Sequence, residues 1–260
     1  MIHRYTTALL AAAALALPAA AQADATAKEP AQRPEGPKHV DMSLLDGPHH
    51  VLMKTSEGSF ILELEPEKAP VSTANFLQYV RDGFYEGTIF HRVIDNFMVQ
   101  GGGFTEAYYD FRPTPGMRSI PENVEKAGRD PIPNEARKAG LENDPYTIAY
   151  ARTNDPNSAT SQFFINVADN RFLDPGVRSP EDAGYAVFGR VIAGKETIDR
   201  IRAVPVQRDR LGGQPSEPVD PVVIEGAEII TEQRAKELAD RGLDADQPDD
   251  KPGADKPETR

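Results

Sequence analysis

Between His49 and Ile230 the sequence is a succession of short apolar runs, most of them too short for a helix and bounded by turn residues. His50 to Lys54 and Ser59 to Glu65 flank Ser56-Glu57-Gly58, the pattern of a hairpin. In the second run Phe60, Leu62 and Leu64 alternate with Ile61, Glu63 and Glu65, and a period of two turns one face toward a core. Further strand candidates are Ile89 to Ile94, Phe97 to Gly101, Thr147 to Ala151, Gln162 to Val167, Ala186 to Val191 and Pro221 to Ile230. Two segments have helical spacing. Pro70 suits a first turn, Thr73, Phe76, Leu77 and Val80 recur at i, i+3, i+4 and i+7, and Gly83 suits the C-terminal cap. The other runs from Lys195 to Arg202. Many short strands with two helices predict an all-β barrel or sandwich, not βαβ units. Residues 105–145 break the rhythm with Pro113, Pro115, Pro121, Pro131, Pro133 and Pro145, a long Pro-rich loop insertion of the kind that is functional or mobile.

The flanks read differently. His3 and Arg4 precede an apolar run from Ala8 to Leu17, then Pro18 and Ala21-Gln22-Ala23. This is the pattern of a secretory signal over 1–23, cut between Ala23 and Asp24. The run of ten is too short for a bilayer, which takes about 20 residues, so the chain is expected in the periplasm with no stable membrane insertion. Residues 24–47 read as a flexible lead-in, and 48–230 as the folded domain. Residues 231–260 form an acidic tail, mostly disordered, of which Glu232 to Arg241 can extend a short helix.

Composition narrows the chemistry. The chain has no cysteine, which excludes disulfides, Cys-ligated zinc and thiol catalysis. Lys plus Arg total 29 against 41 Asp plus Glu, and a net charge of −12 argues against nucleic-acid or anionic-membrane binding. Gln100-Gly101-Gly102-Gly103-Phe104 lacks the Lys-Ser/Thr of a phosphate loop and the G-x-G-x-x-G of a dinucleotide fold. Its glycines suit a bend or a close approach of backbone. No HExxH is present, and His49 and His50 point to opposite faces of a strand. His91, between Phe90 and Arg92, reads as a buried, hydrogen-bonded structural histidine. Ser161 has no evident His or Asp partner, and Glu63 and Glu65 read as exposed strand carboxylates. No cofactor or metal is therefore expected.

What remains is one arginine among aromatics, Met and Gln, in Phe90-His91-Arg92-Val93-Ile94-Asp95-Asn96-Phe97-Met98-Val99-Gln100, with Ser161-Gln162-Phe163-Phe164 and Phe172-Leu173-Asp174 further on. FHRVIDNFMVQGGGF resembles the signature of the cyclophilins, the peptidyl-prolyl cis-trans isomerases, and SATSQFFINVADNRFLD and YAVFGRV resemble its later blocks in order. With the signal, the likeness is to the bacterial periplasmic branch. It implies a closed eight-stranded antiparallel β-barrel capped by two helices. It makes Arg92 the catalytic arginine, and Phe97, Met98, Phe164 and Leu173 the apolar proline pocket. Gln100 and Gln162 match groups that hold the substrate backbone, and Ala151 matches a backbone-contact position. Three positions depart from the wider family: Arg152 stands for its Asn, Phe172 for its Trp and Tyr185 for its pocket His. Adjacent strand residues face opposite ways, so Phe164 is assigned to the pocket and Phe163 to the core.

The implied partners are proline-containing polypeptides and unfolded exported proteins. The inhibitor cyclosporin is expected to bind weakly, because Phe172 lacks the indole N–H. Two other classes stand beside this reading: a peptide-binding module with incidental catalysis, and an envelope protein that binds a partner through its long loop and acidic tail.

Overall fold

The computed structural model describes residues 36–112, 114, 121, 123–208 and 214–243. The chain forms the hairpin β1 (His50–Thr55) and β2 (Gly58–Leu64), then α1 (Pro70–Arg81), β3 (Thr88–Ile94) and β4 (Met98–Thr105). After the insertion come the single turn α2 (Ala136–Ala139), β5 (Thr147–Tyr150), β6 (Phe163–Asn166), β7 (Val187–Ala193) and α3 (Lys195–Arg202). A second hairpin, β8 (Val206–Arg208) and β9 (Pro215–Pro218), precedes β10 (Val222–Ile230) and α4 (Glu232–Arg241). Among the described residues eight strands close into an antiparallel barrel, in the order β1-β10-β3-β4-β6-β5-β7-β2. Pairing of His50 with Ile230 and of Val51 with Ile229 joins the first strand to the last, so the barrel has no open edge.

The alternation in β2 works as the sequence implies. Phe60, Leu62 and Leu64 point into the barrel, while Glu63 faces out and pairs with Arg190 at 2.7 Å. The barrel is filled by side chains and is not a channel. α1 closes one end: the Phe76 ring sits 5.1 Å from Tyr85, 5.8 Å from Phe163 and 5.3 Å from Phe188. Just past the Asp82 cap, α1 is closed off by Gly83, whose φ of +65° turns the chain so that its N–H reaches Val80 O and the N–H of Phe84 reaches Tyr79 O. α3 sends Ile198 and Ile201 into the same core.

Three segments differ from the sequence reading, and a fourth, α4, forms over Glu232–Arg241 as read and packs on the barrel. The lead-in is packed over its described part: Met42–Asp46 form a 3-10 turn, Val40 is buried, and Gln78 bonds both Asp41 N and His39 O. Consequently all of Pro70 to Val80 is buried, a wider face than the apolar stripe alone requires. Much of the insertion is also packed. Phe104, Tyr108, Phe111 and Val124 form a satellite cluster with Ile89 on the outside of the barrel. In α4, Ala235 and Leu238 cover Leu52, Ile61 and Ile230, which gives the outward-facing Ile61 an apolar partner. The β8–β9 hairpin was not anticipated, because β8 is wholly exposed and shows no apolar alternation. The signal segment and the tail beyond 243 lie outside the described residues.

Candidate active site

Three strands carry the site on the outer face of the barrel. Cross-strand pairing sets Arg92 opposite Gln100, Gln100 opposite Phe164, and Phe164 opposite Ala149. Directly opposed residues share a face, so Arg92, Gln100 and Phe164 form one row. Strict alternation would send Arg92 to the same face as Phe90. A register shift between these two residues prevents it, and Phe90 and Val93 both face the core while Arg92 turns outward. The glycine run makes the bend. Gly102 has φ +86°, and a Cβ there would lie 2.8 Å from the Phe163 ring and 2.9 Å from Tyr85. Phe163 itself is in the core, on the opposite face from Phe164.

A cleft of about 140 Å³ opens beside this row. Its lining comprises Arg92, Phe97, Met98, Gln100, Ala151, Arg152, Phe164, Leu173 and Tyr185. Met98, Phe164 and Leu173 are buried and are backed by Ala149 and Val187. Phe164 meets Tyr185 edge-on at 5.7 Å. Of the residues nominated from sequence, two lie outside the lining. Gln162 sits behind Gln100, and Phe172 is at the rim, 48% exposed and stacked on Phe97 at 5.7 Å. A larger groove of about 300 Å³, lined by Glu65, Lys68, Glu142, Asp144 and Arg190, carries charges of both signs and lacks an aromatic wall.

The polar side of the cleft is a directed series of hydrogen bonds. Arg92 Nη1 donates to Gln100 Oε1 at 3.4 Å and lies 3.9 Å from Met98 Sδ. The guanidinium is 5.9 Å from the centre of the Phe97 ring. Gln100 Nε2 donates to Gln162 Oε1 at 3.2 Å, and Gln162 Nε2 donates to Glu125 Oε1 at 3.0 Å. Arg152 stacks on Tyr185 at 4.3 Å and donates to Gly184 O and Thr153 O.

Residues not nominated from sequence hold this arrangement. Asn143 donates through its backbone N–H and its Nδ2 to Asp174 Oδ1, both at 2.8 Å. Asn166 donates to Asn143 at 3.2 Å, and Asn170 donates to Asn166 at 2.8 Å and to Phe97 O at 2.6 Å. This buried network fixes Phe97 and the turn carrying Phe172 and Leu173. Glu135 caps α1 from the insertion: Val71 N, Ser72 N and Ser72 Oγ donate to its carboxylate at 3.2, 2.7 and 2.8 Å. The local N-cap, Ala69, has no side chain able to do so. Glu135 and Glu125 have no local sequence signal, because their partners lie tens of residues away. His91 is buried, as read, and packs on Phe104 and Tyr108 at 4.5 and 6.2 Å. Its Nδ1 has no hydrogen-bond partner among the described residues. Burial, then the neighbouring Arg92 charge, hold its pKa down at about 3.

A small cleft with apolar walls, Arg92 beside Gln100 on one side and Arg152 stacked on Tyr185 on the other, set on a closed barrel, is the geometry of a site for a short apolar side chain and the peptide around it. Residues 50–229 match the cyclophilin type peptidyl-prolyl cis-trans isomerase/CLD family, and the chain belongs to it. Peptidyl-prolyl cis-trans isomerase cyp18 of Streptomyces antibioticus is 50% identical over 180 residues, which cover 69% of this chain and 98% of that protein. Peptidyl-prolyl cis-trans isomerase B of Escherichia coli is 42% identical over 179 residues, covering 69% and 98%. A cyclophilin-type isomerase from Cryptosporidium parvum shares the fold, with a TM-score of 0.50 and 22% identity over 71% of this chain and 99% of that one. The protein is an enzyme of the peptidyl-prolyl cis-trans isomerase class.

Proposed function

We propose that the enzyme isomerises X-Pro bonds of exported polypeptides during their folding, with Arg92 as the catalytic group and no covalent intermediate, metal or cofactor. The observation that carries this reading is a donor-rich guanidinium at the edge of a cleft walled by Phe97, Met98, Phe164 and Leu173. The prolyl bond turns over a barrier of about 18–20 kcal/mol, and no bond has to break. The barrier is lost amide resonance. As the bond twists, the prolyl nitrogen becomes pyramidal and regains its lone pair. A guanidinium N–H can then donate to it, whereas the planar nitrogen of the ground state is a poor acceptor. The contact therefore favours the transition state selectively.

The magnitude is adequate. Raising a rate from about 0.01 to about 10 s⁻¹ takes about 4 kcal/mol. One preorganised donor in a dry site contributes about 3–4 kcal/mol. The apolar walls seat the proline ring, and the fixed charge of Arg, anchored on Gln100, suits the role better than Lys. Arg152 and Tyr185 line the far side of the cleft, and in this reading they meet the peptide that flanks the proline. Export rests on the signal pattern at 1–23 and gives a periplasmic location. The test pairs two measurements. The mature chain recovered from periplasm should begin at Asp24, and with a chelator present it should accelerate both a prolyl peptide and the proline-limited refolding of an exported protein. A chain left uncleaved in the membrane fraction contradicts the location. Loss of activity on chelation contradicts the chemistry.

A further inference from the structure

The insertion is anchored at several points, and one of its side chains reaches the site. Glu125 pairs through its backbone with Phe104, at the end of the glycine run in β4. Thr105 N donates to Val124 O and Lys126 N donates to Gly103 O, at 2.8 and 3.0 Å. Val124 is buried in the satellite cluster, and Lys126 Nζ donates to Phe84 O and Glu86 O at 2.7 and 2.6 Å. The Glu125 carboxylate is thereby held against Gln162. Gly103 makes room for that contact: a Cβ there would lie 2.5 Å from Gln162 Cγ and 2.8 Å from its Nε2.

A side-chain amide has a donor end and an acceptor end, and its neighbours decide which way it points. A carboxylate can only accept. Glu125 therefore takes the Nε2 end of Gln162, which turns Gln162 Oε1 toward Gln100. Gln100 answers with its own Nε2, which leaves Gln100 Oε1 for Arg92. A flip of Gln162 alone would set its N–H groups against those of Gln100 and its oxygen against the Glu125 carboxylate, and a flip of Gln100 to answer it would turn an N–H toward Arg92 and remove the acceptor. We infer that Glu125 is a positioning residue of the isomerase site, which fixes the polarity of the Gln162–Gln100 pair and so holds the Arg92 guanidinium at the cleft. The Pro-rich insertion is then a part of the catalytic apparatus. The inference rests on the reading of Arg92 as the catalytic group.

The experiment measures kcat and KM on a prolyl peptide for the wild type, E125A, E125Q, E125K, R92A and R92A/E125A in the full mature chain. E125A should lower kcat about tenfold, the worth of one well-placed hydrogen bond, with KM nearly unchanged. E125Q should recover most of that loss, because its amide oxygen still accepts. E125K should be the most impaired, because an ammonium demands the oxygen end of Gln162 and reverses both amides. E125A should cost nothing further in the R92A enzyme. An equal loss in that background, or losses that track melting temperature instead of polarity, overturns the inference. So does full activity of E125A alongside an impaired R92A. An R92A enzyme as active as wild type instead removes the reading of Arg92 itself. NMR of the Arg92 side-chain N–H groups supplies a readout independent of turnover. Their signals should shift and broaden in E125A and return in E125Q, and unchanged signals count against the inference.

Discussion

Acid should destabilise this enzyme through His91. The ring is 8% exposed, enclosed by Phe104 and Tyr108, and adjacent to the permanent charge of Arg92. An unfolded chain takes up a proton on this histidine near pH 6.5. The native state does so only near pH 3. Its stabilising contribution is therefore complete above about pH 6.5 and drains away as pH falls toward 3. The slope is about 1.4 kcal/mol per pH unit, so the loss is about 2.7 kcal/mol by pH 4.5 and about 4–5 kcal/mol across the window. His91→Leu keeps an apolar side chain of similar volume in the satellite cluster and does not titrate. Other acid-sensitive groups, such as Asp41, held at about pKa 2 by Ser43 and Arg81, are common to both proteins and cancel in the difference. The assay is urea denaturation of both proteins at pH 7, 5.5, 4.5 and 3.5. The stability difference, variant minus wild type, should be flat above pH 6.5 and swing toward the variant below it. Parallel curves from pH 7 to 3.5 would refute the reasoning. With His91 neutral above about pH 3, Arg92 is the positive charge on this strand.

Two further outcomes follow from the same structure. Glu135→Ala should cost about 2–4 kcal/mol by urea denaturation, because it strands Val71 N, Ser72 N and Ser72 Oγ at a buried helix start, and Glu135→Gln should cost less. Cyclosporin should inhibit weakly, since Phe172 at the rim has no donor. Phe172→Trp should tighten inhibition about 5- to 150-fold with little change in turnover, and tight inhibition of the wild type would contradict this.

The elements with local signals were legible. The β1–β2 hairpin shows itself in the alternation of Phe60, Leu62 and Leu64, and α1 in Pro70, its apolar spacing and Gly83. α3 follows Lys195 to Arg202 as read. The choice of barrel over sandwich was not legible from pattern, because it depends on His50 meeting Ile230 across the whole domain. The cleft residues were found by resemblance, not by periodicity. The register shift that turns Arg92 outward is a departure from the period of two. Glu125 looked like one more acid in a Pro-rich stretch. Its meaning lies in a bond to Gln162, 37 residues on, and in a missing side chain at Gly103.

The central claim is that a single guanidinium lowers the barrier by donating to the twisted prolyl nitrogen. The direct test is kcat/KM for isomerisation of a prolyl peptide by Arg92→Ala, with circular dichroism and melting to establish that the barrel persists. The side chain is half-buried at the cleft edge and is not a member of the barrel core. The account predicts a fall of about a hundredfold in a folded protein. A folded Arg92→Ala enzyme with kcat/KM within a few fold of wild type would contradict it.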